Sequence, residues 1–388
     1  MIISFFSNYL THHQIPFCDA MCKLPEVEFH FISTMPMEQE RKEGGWDFGE
    51  SYFYELKAYA SEKNKKEALR LARQSDVMLI GSAPEEYVQC RMRDAACKLT
   101  LRYSERIYKS GRWRALSPRG ALLRLNTYFR YLGKPLYMLC ASAYTAGDLA
   151  MLGSYLGRCY KWGYFPATKT YENLEDILRK KAPNTLLWTA RLIDWKHPEV
   201  PVQIAARLKK EGYAFRLNMI GVGPMEQEIL RTIENENLQE QVQLLGTMSP
   251  ERVREEMEKH QIFLFTSDQN EGWGAVLNEA MNSGCAVVAN RQIGSVPFLL
   301  QDSENGFVYN KGDVEELYNR VKYLLDYPQE TARMGKNAYK TITGVWSAEL
   351  AAERLLKLCN DLLQSRTQAS YSEGPCSKAY INSKKRSK

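Results

Sequence analysis

Histidine and paired metal ligands are what this chain has least of. Its 388 residues include five histidines, and its nine cysteines contain no Cys-x-x-Cys pair. Structural zinc sites are built from closely spaced ligands of those two types, so a centre of that kind is excluded; no metal and no cofactor is expected. An odd, scattered set of cysteines argues against a disulfide framework and for a reducing compartment. Cys18 and Cys22, at helical spacing, read as core packing. The start, Met1-Ile-Ile-Ser-Phe-Phe6, lacks the basic residues of a secretory leader. No uncharged run reaches membrane-spanning length; the nearest, Pro135 to Gly157, contains Asp148. Together these absences predict a cytoplasmic chain.

Charge excludes a further class. The net charge is +6, yet six Lys/Arg against one acid from Arg366 onward account for +5 of it. The body is nearly neutral, which excludes a globally basic nucleic-acid binder, and no nucleic-acid partner is expected. Within the body, Arg91 to Lys134 carries twelve Lys/Arg against Asp94 and Glu105.

What is present is alternation. Met1–Ser7, Glu28–Thr34, Asp76–Ser82, Thr100–Ser104 and Pro135–Ala141 are short, apolar and rich in β-formers. Between them Gln14–Leu24, Lys65–Gln74, Glu85–Lys98 and Ala121–Leu132 have helical patterns. The second half repeats this with strands at Thr185–Ile193, Phe215–Ile220, Val242–Leu245, Ile262–Thr266 and Ala286–Ala289. Its helices are expected at Val200–Lys210, Met225–Asn235, Glu251–Lys259 and Ala275–Asn282. Such alternation predicts parallel sheets covered on both faces, as two doubly wound α/β domains facing each other across a cleft. The expected division is residues 1–167, an N-terminal Rossmann-like domain; 168–346, a C-terminal Rossmann-like domain; 347–365, a helix crossing back to the first domain; and 366–388, a basic disordered tail.

The most informative stretch is Glu271-Gly-Trp-Gly-Ala-Val-Leu-Asn-Glu279, lying between a strand and a helix. Gly272 and Gly274 let backbone approach a ligand, and a helix N-terminus favours an anion such as phosphate. Two carboxylates around an anion site suit the hydroxyls of a ribose and a hexose. Arg191 and Lys196, in the loop leaving the first strand of the second half, can grip a diphosphate, Arg bidentately and Lys as a point charge. Gly221 and Gly223 also lie at a strand end, as do Gly246, Thr247 and Met248, where backbone would meet a nucleobase. Taken singly, the cations read equally as solvated surface charge and the glycines as tight turns.

From about Asn184 to Tyr309 the ordered set Arg191 with Lys196, Gly221–Gly223, the Gly246 loop, Glu271 and Glu279 resembles the nucleotide domain of the family-4 retaining glycosyltransferases. The resemblance implies a two-domain GT-B fold and a metal-independent retaining transfer of a hexose from a nucleoside diphosphate sugar, a UDP-sugar being expected. The acceptor would be a hydroxyl of a glycan or lipid-linked glycan, as in bacterial surface polysaccharide assembly. By the same resemblance Arg191 and Lys196 hold the diphosphate, Glu279 the ribose and Glu271 the transferred sugar, while the backbone of Trp273, Gly274 and Ala275 lines phosphates and sugar. Two departures stand out. Ile293-Gly294-Ser-Val-Pro-Phe298 lacks the glutamate that many members carry there, and the first loop, Asn8 to Gln14, has no glycine.

The first half matches that family in strand–helix order alone. His12 and His13, after the first strand, are candidates for the sugar or acceptor side, with the alternative of a helix cap and an exposed ring. Arg102, Glu105 and Arg106, after another strand, are candidates for acceptor binding or for structural ion pairs. Arg112 to Leu132 interleaves arginines with Trp, Leu, Phe and Tyr, which suits either an anionic membrane surface, on the inner face of the membrane, or an ordinary amphipathic helix. The rival functions are a GT-B sugar-nucleotide epimerase and a non-catalytic nucleotide-binding scaffold at the membrane.

Overall fold

Short runs of β-branched and aromatic residues flanked by Gly, Pro and polar turns give thirteen strands in the computed structural model, which describes residues 1–38, 52–93, 98–109, 111, 117–151 and 153–380. They fall into two compact units, Met1–Ala167 with the chain from Trp346 onward, and Thr168–Val345.

The first unit is built on β1 (Ile2–Ser7), β2 (Glu28–Ser33), β3 (Glu55–Lys57), β4 (Val77–Ile80), β5 (Leu99–Ser104), β6 (Leu136–Cys140) and β7 (Cys159–Lys161). Their order across the sheet is β3-β2-β1-β4-β5-β6-β7, and every pairing is parallel. The second unit holds β8 (Thr185–Thr189), β9 (Arg216–Ile220), β10 (Val242–Leu244), β11 (Ile262–Phe265), β12 (Ala286–Asn290) and β13 (Phe307–Tyr309), ordered β10-β9-β8-β11-β12-β13 and again all parallel. In each sheet the strand order reverses beside the unit's first strand, between β1 and β4 and between β8 and β11. At such a point successive loops diverge and leave a crevice beyond the carboxyl ends of the strands.

The central strands are buried on both faces, which is why they read as apolar runs rather than as alternation. Phe263 and Leu264 of β11 and Val287 and Val288 of β12 are at most 1% exposed. Each such side chain stabilises the unit by about 1.5–3 kcal/mol through burial. Trp188, near the end of β8, is likewise enclosed, and its indole N–H donates to the Thr266 hydroxyl (2.8 Å).

Three strands were not expected. β3, β7 and β13 have three residues each, too few for any periodicity to show. The helices Val314–Asp326 and Pro328–Val345 also went unread, although Leu317, Tyr318, Val321, Leu324 and Leu325 of the first are buried at helical spacing. The strand expected over Thr185–Ile193 ends at Thr189, because residues 190–193 turn outward to carry the cations of the site.

The expectation of a disordered tail is corrected over residues 366–380. The helix Ala348–Leu363 packs against Ile15–Cys22 within the first unit, and the chain that follows reaches the free edge of β7. Lys161 N donates to Ser377 O (2.7 Å), Cys376 N to Lys161 O (2.8 Å) and Ala379 N to Cys159 O (3.1 Å), with an antiparallel bridge between Tyr160 and Lys378. An unpaired strand edge offers a row of donors and acceptors, and this segment satisfies them; Cys376 is 1% exposed. Most of the tail's basic residues follow Asn382, outside the described residues. Among the described residues no helix is long and apolar enough to cross a membrane, and no cluster of three His, Cys, Asp or Glu stands ready for a metal ion.

Candidate functional site

The loops leaving β8, β9, β10 and β11 come together at the carboxyl edge of the second sheet, beside the β8/β11 switch point, and they carry the residues singled out above. Backbone contacts hold them in place. Gly221 has φ +134°, and a Cβ there would stand 1.9 Å from the Ala190 carbonyl oxygen; one on Gly223 would stand 2.4 Å from that of Leu192. The β9 loop therefore lies directly against the β8 loop. Ala190 N donates to Ile220 O (3.1 Å), Leu192 N to Val222 O (3.0 Å), and Gly221 N to Gly246 O (2.8 Å). Gly221 and Gly223 are glycine for this close approach, which fixes the stem of the loop that presents Arg191. Gly246 has φ +68° with nothing within 4 Å of its pro-Cβ position, and Thr247 beside it is exposed.

The β8 loop then makes a single 3-10 turn, Asp194–Lys196, and passes through His197 in a left-handed conformation (φ 52°, ψ 57°). The turn is pinned from β11: the Thr266 hydroxyl donates to the Lys196 carbonyl (2.7 Å), with the His197 carbonyl at 3.2 Å, and Asp268 N donates to Trp195 O (3.0 Å). This anchoring sets the Lys196 ammonium over the Trp195 ring (4.3 Å) and in an ion pair with Glu271, both side chains being only 12–13% exposed. Arg191, one turn earlier, is exposed at the same edge.

The chain from β11 to the next helix is equally determined. Asp268, 6% exposed, accepts from Asn270 N (2.8 Å) and lies 3.7 Å from His197 Nε2 and 3.4 Å from Lys311 Nζ. His197 is held more basic than usual, chiefly by its bond to Glu199 (3.0 Å) and further by Asp268. Glu271 N donates to Asp268 O (3.0 Å). Gly274 has φ +83°, and a Cβ there would meet the Phe265 ring at 2.4 Å and Glu271 Cγ at 3.1 Å, so glycine lets the backbone fold close over Glu271. The Trp273 side chain points into the unit and donates to Asn278 Oδ1 (2.9 Å), while its carbonyl accepts from Ser295 N (3.3 Å). Ala275, 7% exposed, precedes the helix Val276–Asn282.

Glu279 stands in the first turn of that helix. Burial raises its carboxyl to about 7, and the nearby Arg254 opposes the shift. Arg254, 6% exposed, donates to the Glu279 carbonyl (3.2 Å) and to Asn282 Oδ1. Sequence reasoning passed over Arg254, His197 and Asp268. The signal for Arg254 was an arginine one turn before the buried Met257, on the inward stripe of its helix.

The candidates of the first unit take other partners. Arg102 pairs with Glu85 (2.7 Å), Arg106 lies 3.6 Å from the buried Asp148 and over the Tyr144 ring, and Glu105 accepts from Tyr164 (2.7 Å) and Lys109 (2.8 Å). They do not form one ion-pair cluster. The His12 and His13 rings lie 3.7 Å apart, and His13 is parallel to Tyr164 at 6.2 Å, so Glu105 and the histidine pair meet the same tyrosine from two sides. Of Arg112 to Leu132, residues 112–116 lie outside the described residues, and the rest forms the helix Pro118–Thr127 and the 3-10 turn Phe129–Tyr131.

Comparison with known proteins places these geometries in context. The poly(ribitol-phosphate) alpha-N-acetylglucosaminyltransferase of Staphylococcus aureus is 26% identical over 173 residues, 44% of this chain and 34% of that protein. The putative colanic acid biosynthesis glycosyltransferase WcaL of Escherichia coli is 30% identical over 149 residues, 36% of each. The chain thus spans little more than a third of the length of either relative. Anabaena HepE, solved with UDP and glucose, has the same fold at 14% identity, with a TM-score of 0.65 over 93% of this chain and all of its own. The fold class is therefore GT-B, two Rossmann-like α/β units. Residues 170–341, spanning the strand-end cations, the close-packed glycines and both glutamates, match the family described as Glycosyl transferases group 1.

Proposed function

We propose that the chain is a retaining glycosyltransferase that moves a hexose from a nucleoside diphosphate sugar, preferentially a UDP-sugar, to a hydroxyl of a glycan or lipid-linked glycan. The observation that carries the reading is the Lys196–Glu271 pair at the β8/β11 switch point, with Glu279 on the helix that follows. A largely buried ammonium and carboxylate neutralise each other there, and a donor supplies each with a second partner: diphosphate for Lys196 and sugar hydroxyls for Glu271. Arg191, exposed at the same edge, adds the bidentate grip. The relatives of polysaccharide assembly and the UDP carried by HepE agree with this assignment.

In the proposed reaction the bond from the sugar's anomeric carbon to the diphosphate oxygen breaks. The acceptor oxygen bonds that carbon on the same face, and its proton passes to the departing diphosphate. Arg191 and Lys196 offset the charge that develops on the leaving group, the role that preorganised cations perform best in a site shielded from water. Glu271 orients the sugar, and Glu279 accepts from the ribose hydroxyls. The cations take the place of a metal ion, so turnover is expected to persist in chelator.

The test is product stereochemistry. With a UDP-α-hexose and a glycan acceptor, an α-linked product by NMR with stoichiometric UDP supports the reading. A β-linked product contradicts retention, and an isomerised sugar nucleotide without transfer identifies an epimerase.

A further inference from the structure

The helix Pro118–Thr127 is turned inside out. At about 100° per residue, Pro118, Ala121, Leu122 and Leu125 share one face of about 100°. On a surface helix of a globular unit that face packs inward. Here all four are exposed, Leu122 at 59% and Leu125 at 53%, and none of the ten residues is buried. The opposite side, Gly120, Arg124 and Thr127, is the partly covered one, with Arg124 donating to the Tyr108 hydroxyl (3.3 Å). The segment is held from its far end, where Tyr128 and Tyr131 enter the unit's core.

The apolar surface extends beyond the helix. Leu123 (57%), Leu132 (63%) and Ile107 (41%) are exposed, as is Leu156 (56%), which follows Tyr155, whose ring lies 4.3 Å from that of Tyr128. Cations border this surface: Arg119 and Arg130 are exposed within the segment, and the sequence from Ser117 to Leu132 has no acid.

From these observations we propose that the helix Pro118–Thr127 and the turn after it form a docking face for an anionic lipid bilayer. Leu122, Leu125 and Leu132 enter the headgroup–acyl boundary, and Arg119 and Arg130 meet lipid phosphates. An outward apolar stripe bordered by exposed cations is the pattern of a helix lying in a membrane interface. Two exposed arginines and no acid within the segment favour lipid over a second copy of this chain, which would set the same cations against each other. This proposal stands independently of the donor site in the second unit.

The experiment is co-sedimentation of the full chain with vesicles of phosphatidylcholine alone and with 30% phosphatidylglycerol, scanned against salt. The variants are Leu122→Ser with Leu125→Ser, and Arg119→Glu with Arg130→Glu; these positions are exposed, so folding is undisturbed, as an unchanged thermal transition and UDP response would confirm. Binding to the anionic vesicles is expected to weaken at high salt and to fall at least tenfold in either double variant, since each basic residue near such a surface contributes about fivefold. Two results overturn the proposal. One is equal binding by wild type and both variants. The other is the absence of vesicle binding, whether the chain is monomeric or forms a self-association that the serine variant abolishes.

Discussion

Replacing Glu279 by glutamine isolates what enclosing a carboxylate costs the second unit. Burial raises this carboxyl to about 7 from an ordinary 4.5, with Arg254 pulling in the opposite direction. A carboxyl whose pKa rises on folding favours the folded state only while protonated. Its contribution is complete below about 4.5 and is lost as pH climbs through 7, because the unfolded chain ionises first. At 1.36 kcal/mol per pH unit the loss reaches about 3 kcal/mol by pH 8. That figure is an upper bound, since solvent still reaches part of the residue. Glu279→Gln keeps the shape and removes the charge, so wild type and variant should be nearly equal in stability at pH 5 and diverge at pH 8, the variant being the more stable. For a unit of this size the gap is up to about 6–12 °C in Tm. Thermal unfolding of both proteins across pH 5–8 measures it, and other titrating groups cancel in the difference. A gap that stays constant with pH would refute the burial of an ionisable Glu279.

Further outcomes follow from the geometry. Gly221→Ala sets a Cβ 1.9 Å from a backbone oxygen at φ +134°, and no rotamer relieves that contact; it should cost more than about 3 kcal/mol in chemical denaturation. Gly246→Ala, at φ +68° with open space around it, should cost only about 1–2 kcal/mol. Lys196→Met leaves Glu271 without its cation, so stability should fall by about 3 kcal/mol and kcat by about a hundredfold or more. Adding Glu271→Gln should recover most of the stability and none of the turnover, a separation that a double-variant cycle reads directly.

Much of the second unit was legible because most of its strands are apolar runs separated by amphipathic helices, and because Arg191 with Lys196 and Glu271 with Glu279 follow the ends of β8 and β11. The reason for Gly221 and Gly223 was not legible. The sequence suggests a turn, and only the register of two loops shows the Ala190 and Leu192 carbonyls where a side chain would be. Trp273 lay in the expected position, but its ring serves the core through Asn278, which a motif cannot reveal. Arg102, Glu105 and Arg106 are adjacent along the chain, yet each finds a different partner, since side chains leaving a strand end diverge. The outward stripe of Pro118–Thr127 reads as an ordinary amphipathic helix until the burial of each residue is known. Edge strands of three residues and the tail's pairing with β7 depend on long-range contacts that leave no local pattern.

The central claim is that the β8/β11 edge is a nucleotide-sugar site, and ligand-induced stabilisation tests it most directly. Melting temperatures of wild type and Glu279→Ala should be measured with UDP, GDP, ADP and their hexose conjugates at constant pH. A ligand at a hundred times its Kd stabilises the folded state by about 2.7 kcal/mol. The account predicts a rise of several degrees with uridine nucleotides, largest for one UDP-hexose and sharply reduced in Glu279→Ala. No shift with any nucleotide, or an equal shift in wild type and variant, would contradict it.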